Sequence, residues 1–173
     1  MKKLFILFIA VAGFGVSSFG QVAVGVSATA TSSATIVTPI TITNSGNMNF
    51  GNIAVSASGG TVVLTPAGAR STTGGLKLTT VAGTVTAAHF DITGQLNYTY
   101  AITLPSAPVT LTRASGTETM DATSFTSSPT PTGTLDGSGK QTIDVGATLT
   151  VANSQVAGTY VTGTPFTVTV NYN

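Results

Sequence analysis

His89 is the only histidine in a chain of 173 residues that contains no cysteine. One imidazole without thiolates cannot build a common zinc site. In the stretch 84–92, His89 shares parity with Val85, Ala87 and Asp91 and lies opposite Phe90 and Ile92. The pattern predicts a surface histidine beside an aspartate on the outer face of a strand. Asp136, Gly137, Ser138, Gly139 and Lys140 form a glycine-rich run. It lacks the alternating acidic ligands of a calcium loop and the helix that follows a phosphate loop, so a turn is expected. Serine and threonine are plentiful, yet no Gly-x-Ser-x-Gly elbow occurs and one histidine gives a triad little to work with. Asn97, Tyr98 and Thr99 match a glycosylation sequon, a pattern common by chance. The aromatic residues fall on core parity, leaving no visible platform for stacking a sugar. The expectation is a chain without catalytic, cofactor-binding or metal-ligating residues, and not an enzyme.

The composition points the same way. Charged residues make up 6% of the chain, against about 25% in an average globular protein. Acid–base catalysis, metal binding and phosphate binding all draw on those residues. Nucleic-acid binding needs clustered Lys and Arg, so no nucleic-acid partner is expected. The 34 threonines favour a pleated, half-buried backbone. A mean hydropathy of +0.40 is too high for a disordered chain.

Residues 1–20 read as an address. Lys2 and Lys3 precede an apolar run over 4–16, and small residues follow up to Gly20. This is the pattern of a secretory signal peptide cut near Gly20 and Gln21. The run falls short of the roughly 18 residues a membrane span requires, and no second such run exists, so no span is expected after its removal. Without cysteine there is neither a lipid-anchor motif nor a disulfide framework. The mature chain, 21–173, carries Arg70, Lys77, Arg113 and Lys140 against Asp91, Glu118, Asp121, Asp136 and Asp144, hence 4 − 5 = −1. So little charge favours self-association.

Along the mature chain the apolar period is two. In the stretch 98–104, Tyr98, Tyr100, Ile102 and Leu104 alternate with Thr and Ala. Similar runs are 62–64, 76–81, 84–92, 109–111, 141–145, 148–151 and 166–172, separated by Gly- and Pro-containing turns. No helical pattern appears. About nine to eleven short strands at this spacing predict an all-β, immunoglobulin-like or pilin-like antiparallel β-sandwich. The segment 115–133 reads as a loop or irregular edge. The expected organisation is a signal peptide over 1–20, an N-terminal extension over 21–33 and one β-sandwich domain over 34–173.

Two ends bear on function. Val22, Val24, Val26 and Ala28 form an apolar alternation at the start of the mature chain, with Thr31, Ser32 and Ser33 as a joint to a second strand that Pro39 kinks or holds at an edge. This segment either pairs as the first strand of its own sheet or is donated to the open edge of a neighbouring subunit. At the other end Phe166, Val168, Val170 and Tyr172 alternate with Thr167, Thr169 and Asn171. So apolar an edge strand, with no guarding charge, is an aggregation hazard unless something pairs with it.

Several segments carry a resemblance. They include Ala34 to Ile42 with Pro39, Met48 to Ile53, Gly60 to Pro66 with Gly68 and Arg70, Phe90 to Gly94, and Tyr98 to Pro105. Gly133 to Asp136, Asp144 to Val151, Ala157 to Tyr160 and Phe166 to Tyr172 complete the set. Together they resemble the exported bacterial family labelled domain of unknown function 4402, over essentially the whole mature chain. That family is similar to chaperone-usher fimbrial subunits and to spore-coat-like secreted β-sandwich proteins, which implies a cell-surface, fimbrial, extracellular or periplasmic location in a Gram-negative-type bacterium. It also implies self-association, with a periplasmic chaperone and an outer-membrane usher as partners. On that resemblance Tyr172 matches the penultimate aromatic of pilin C-terminal strands, and Phe166, Val168 and Val170 match the positions a chaperone engages. Val22, Val24 and Val26 match a donor strand. A pilin disulfide is absent, and Tyr160 stands where a glycine is expected. The alternative is a monomeric secreted or periplasmic binding module, with a glycan as the conceivable ligand.

Overall fold

The computed structural model describes residues 25–173. The chain divides into two units, Met1–Thr35 and Ile36–Asn173. The first is described from Gly25 and contains no strand among its described residues. The second is all-β, with antiparallel sheets and no helix. Its strands are β1 (Thr41–Gly46), β2 (Ile53–Ala54), β3 (Gly60–Leu64), β4 (Arg70–Thr72), β5 (Lys77–Leu78), β6 (Ala88–Thr93) and β7 (Thr99–Thr103). They continue as β8 (Val109–Arg113), β9 (Thr119–Ser128), β10 (Thr132–Thr134), β11 (Lys140–Val151), β12 (Tyr160–Thr162) and β13 (Thr169–Tyr172). Thirteen exceeds the expected nine to eleven because two of them, β2 and β5, are only two residues long.

The organising element is β11. Alternation puts Ile143, Val145, Ala147, Leu149 and Val151 on one face, and all five are buried. Sequence reading divides this stretch at Gly146 into two strands; the structure runs straight through it. Strand β11 pairs with β6 along its first half, β3 along its second and β9 on the other side. The large sheet follows the order β1-β6-β11-β9-β8-β12, with β3 and β4 attached beside the second half of β11. A smaller sheet, β10-β7-β13, supplies the opposing layer.

The core has two parts, which share half-buried Met48 and Phe125 at their boundary. One lies between the two sheets and is built on Phe90, Ile92, Tyr100, Leu135, Ile143, Val145, Val168 and Val170. The other lies under the second half of β11, where Phe50 and Leu76 pack against Val62, Leu64, Leu149 and Val151.

Two expectations need correction. The segment 115–133 is no loop: β9 is a ten-residue strand paired on both sides, with β8 and β11. A bulge conceals it, since Ser124 and Phe125 together oppose Ala147, and Ser124 takes φ 49°. The inward parity therefore switches from Met120 and Ala122 to Phe125 and Ser127. The second correction concerns the chain's entry. Residues 25–40 hold no strand, and β1 begins only after Pro39, which has no N–H to give to a ladder.

Candidate functional site

The chemical candidates resolve into structure. His89 and Asp144 face each other across the β6–β11 ladder, with Nδ1 and Oδ1 2.6 Å apart and both side chains about 40% exposed. Along that row the imidazole is flanked by Asp144 and by Gly46 of β1, with Ser128 beyond Asp144, so the row itself places no hydroxyl directly beside the imidazole. Asp136 closes its turn by accepting the N–H groups of Ser138 (2.7 Å) and Lys140 (2.9 Å). Those bonds, Lys140 first, hold its carboxyl below the usual aspartate range. The glycine-rich run is thus a turn satisfied from within. An open groove lies beside it, lined by Asp91, Thr93, Lys140 and Thr142. Thr142 donates to Asp91 there at 2.9 Å. Among the described residues no three His, Cys, Asp or Glu gather to hold a metal ion.

The C-terminal residues singled out by their alternation do come together. Val168 and Val170 are buried in the inter-sheet core, and half-buried Phe166 packs on Phe90 (6.2 Å between ring centroids) and Phe125 (5.0 Å). The expected strand 166–172 is shorter than its pattern, because ladder pairing begins only at Thr169. Strand β13 pairs with β7 on one side; among the described residues nothing pairs with its other side. Strand β1 likewise pairs only with β6. Half-buried Ile40 and Ile42 pack against the same inter-sheet core as Phe166 and Tyr172. A seam therefore separates the two edges, with apolar side chains on both sides.

One end of the seam is stitched shut. The Tyr172 hydroxyl donates to the Thr38 carbonyl (2.8 Å) and accepts the Gln95 N–H (2.6 Å), while the Gln95 side chain accepts the Thr38 N–H (3.1 Å). The Tyr172 ring also meets Tyr98 edge-on at 5.6 Å. Gly94 makes this clasp possible, because a Cβ there would run into the Tyr172 hydroxyl.

The profile of a family described as domain of unknown function (DUF4402) matches residues 40–172. The chain belongs to that family. No curated protein and no solved structure matches it. For a DUF4402 chain the candidate donor residues stand as follows: Val22 and Val24 lie outside the described residues, whereas Val26 and Ala28 are described, exposed and outside any strand. Sequence reasoning missed the clasp, the seam and one further signal. Neither 21–69 nor 145–173 contains a single Asp, Glu, Lys or Arg. The alternating segment near the N-terminus and both strands flanking the seam fall within these charge-free stretches, so no side chain there guards an edge by repulsion.

Proposed function

We propose that this DUF4402 protein is an exported structural subunit of a bacterial cell-surface assembly, fimbria-like or pilus-like, built by β-strand donation and without enzymatic activity. The reading rests on one observation. Among the described residues the C-terminal strand β13 occupies a sheet edge with its outer side unpaired, while residues 25–35 of the same chain form no strand and Val26 is 95% exposed. An extended segment that adds to an open edge satisfies backbone groups by ladder bonding and places alternate side chains in pockets. Val22, Val24, Val26 and Ala28 supply that alternation. Export through the signal-like segment 1–20, a periplasmic chaperone that shields β13 before assembly, and an outer-membrane usher complete the reading.

The test compares the mature chain from Gln21 with a truncation starting at Ala34, on unheated denaturing gels and by negative-stain microscopy. Ladders or filaments should form from the first and vanish in the second. Adding a peptide of residues 21–33 should cap the truncated subunit and stabilise it. A monomeric mature chain with a truncation that is merely less stable would overturn the reading and favour a monomeric binding module.

A further inference from the structure

We infer that residues 47–56 and 76–86 form a lid over the second core that opens as one unit while the sandwich stays folded, and that Arg70 is its latch. The two halves of the large sheet are covered differently. The smaller sheet supplies Tyr100 and Val170 to the first core and no residue to the second. Over the second core its place is taken by Phe50, Ile53, Leu76 and Val85, which lie on the connection from β1 to β3 and on the connection from β4 to β6. The seam residues Ile40, Ile42, Phe166 and Tyr172 pack on the first core, so strand donation does not bear on the lid.

The two segments are laced to each other. Asn49 and Thr86 exchange backbone bonds (2.8 and 3.0 Å), the Asn52 N–H donates to the Ala82 carbonyl (2.7 Å), and the Asn52 side chain donates to the Val81 carbonyl (3.0 Å). Thr86 Oγ1 donates to the Asn47 carbonyl at 2.9 Å, and β2 pairs with β5. Segments bonded in this way leave the sheet together. Their hold on the sheet is slighter. Beyond apolar contact, the polar ties among the described residues are one bond from the Ser154 N–H to the Ser56 carbonyl (3.2 Å) and the side chain of Arg70, which reaches from β4 and donates through Nη1 to the carbonyls of Phe50 and Asn52. Gly51 sits between those carbonyls with φ 69°, and a Cβ there would meet Arg70 Nη1, so the glycine admits the guanidinium. Among the described residues no carboxylate pairs with Arg70. Its charge is directed at two lid carbonyls, and such charge-assisted bonds are about twice as strong as neutral ones.

Amide hydrogen exchange on the chain from Gln21, read residue by residue by NMR, tests both parts. The N–H groups of Asn49, Asn52 and Thr86 report the lid, and those of Val145 and Leu149 report β11. In the natural chain the three lid amides are expected to share one opening constant, about tenfold or more above that of β11. Three unequal constants overturn the single unit, and a constant equal to that of β11 overturns the lid. Ile92→Val trims a fully buried side chain of the first core, which stays folded when only the lid opens. It is expected to raise exchange in β11 about fivefold and to leave the lid amides unchanged. Lid amides that follow β11 in this variant exchange by global unfolding alone, which again overturns the lid. Arg70→Lys keeps a cation but loses the planar fork. Its bonds are broken in the opened lid and in the unfolded chain alike, so exchange of lid and β11 amides is expected to rise by the same factor, about tenfold. A rise in β11 without one in the lid, or no rise in either, overturns the latch. Arg70→Gln, which keeps one neutral donor, serves the same comparison if the lysine variant does not fold.

Discussion

At the scale of single residues, the firmest polar feature of the core is Tyr100. Its side chain is fully buried, and its hydroxyl donates to Gln141 Oε1 at 2.6 Å, an oxygen that also accepts the Thr134 N–H at 2.8 Å. Burial pushes the phenol up to about 12. A raised acid is held protonated by the fold, so its contribution is complete below the ordinary tyrosine value near 10 and is lost as pH rises toward about 12. Thermal unfolding followed from pH 9 to pH 12 should therefore fall more steeply in the natural protein than in Tyr100→Phe. At neutral pH that variant should lose about 1 kcal/mol, since Gln141 keeps one partner. Gly133 sits against the phenol end of Tyr100, where a Cβ would collide with Cζ, the hydroxyl oxygen and Gln141 Oε1, so Gly133→Ala should destabilise more than Tyr100→Phe does. The acidic limb has the opposite sign. Backbone N–H groups lower Asp136, and the Arg113 side chain lowers Glu118 through a 2.6 Å bond. The contribution of each is present above the ordinary carboxylate value and is lost as pH falls through its depressed one. The stability difference between the natural protein and Asp136→Ala should shrink in chemical denaturation from pH 6 to pH 3.

At the scale of elements, alternation was a good guide wherever inward residues are large, and it failed where they are small or where the register shifts. Strands β7 and β11 were legible from Tyr100, Ile102, Ile143, Val145, Leu149 and Val151. Gly146 read as a break because glycine usually punctuates strands, yet β11 continues through it. Strand β9 was hidden because Ala122 and Ser127 carry its buried face and the Ser124 bulge reverses its parity. The bulge yields a prediction that intrinsic propensity gets backwards. Valine favours strands in general, but Ser124 has φ 49°, where a β-branched side chain is strained. Ser124→Val should therefore destabilise by about 1–2 kcal/mol in denaturant unfolding, whereas Ser124→Gly should be tolerated. A neutral or stabilising Ser124→Val would show that the bulge does not hold this register in solution.

At the scale of the whole molecule, the all-β class could be read from the sequence, because composition and apolar parity are local properties. The seam could not, because it depends on β1 and β13 belonging to different sheets and on a clasp joining Thr38 to Tyr172 across the length of the chain. What links the scales is the placement of charge. All nine charged side chains beyond Lys3 fall between Arg70 and Asp144, leaving the proposed donor segment and both flanks of the seam neutral. Association through such surfaces gains little from Coulomb attraction, so raising salt from about 0.05 to 0.5 M, which shortens the screening length several-fold, should change the assembled fraction by less than about twofold. Introducing a charge should matter far more. Lysine on an edge strand is a natural guard against strand addition, because pairing would confine its ammonium beside a neighbouring chain. Thr169 is exposed on β13, so Thr169→Lys should keep subunit stability within about 0.5 kcal/mol while abolishing ladders on an unheated gel. Thr162→Lys, on the free edge of β12, should leave them intact. Equal loss from both would mean that lysine acts through general solubility, and loss from Thr162→Lys alone would place assembly at the opposite end of the large sheet.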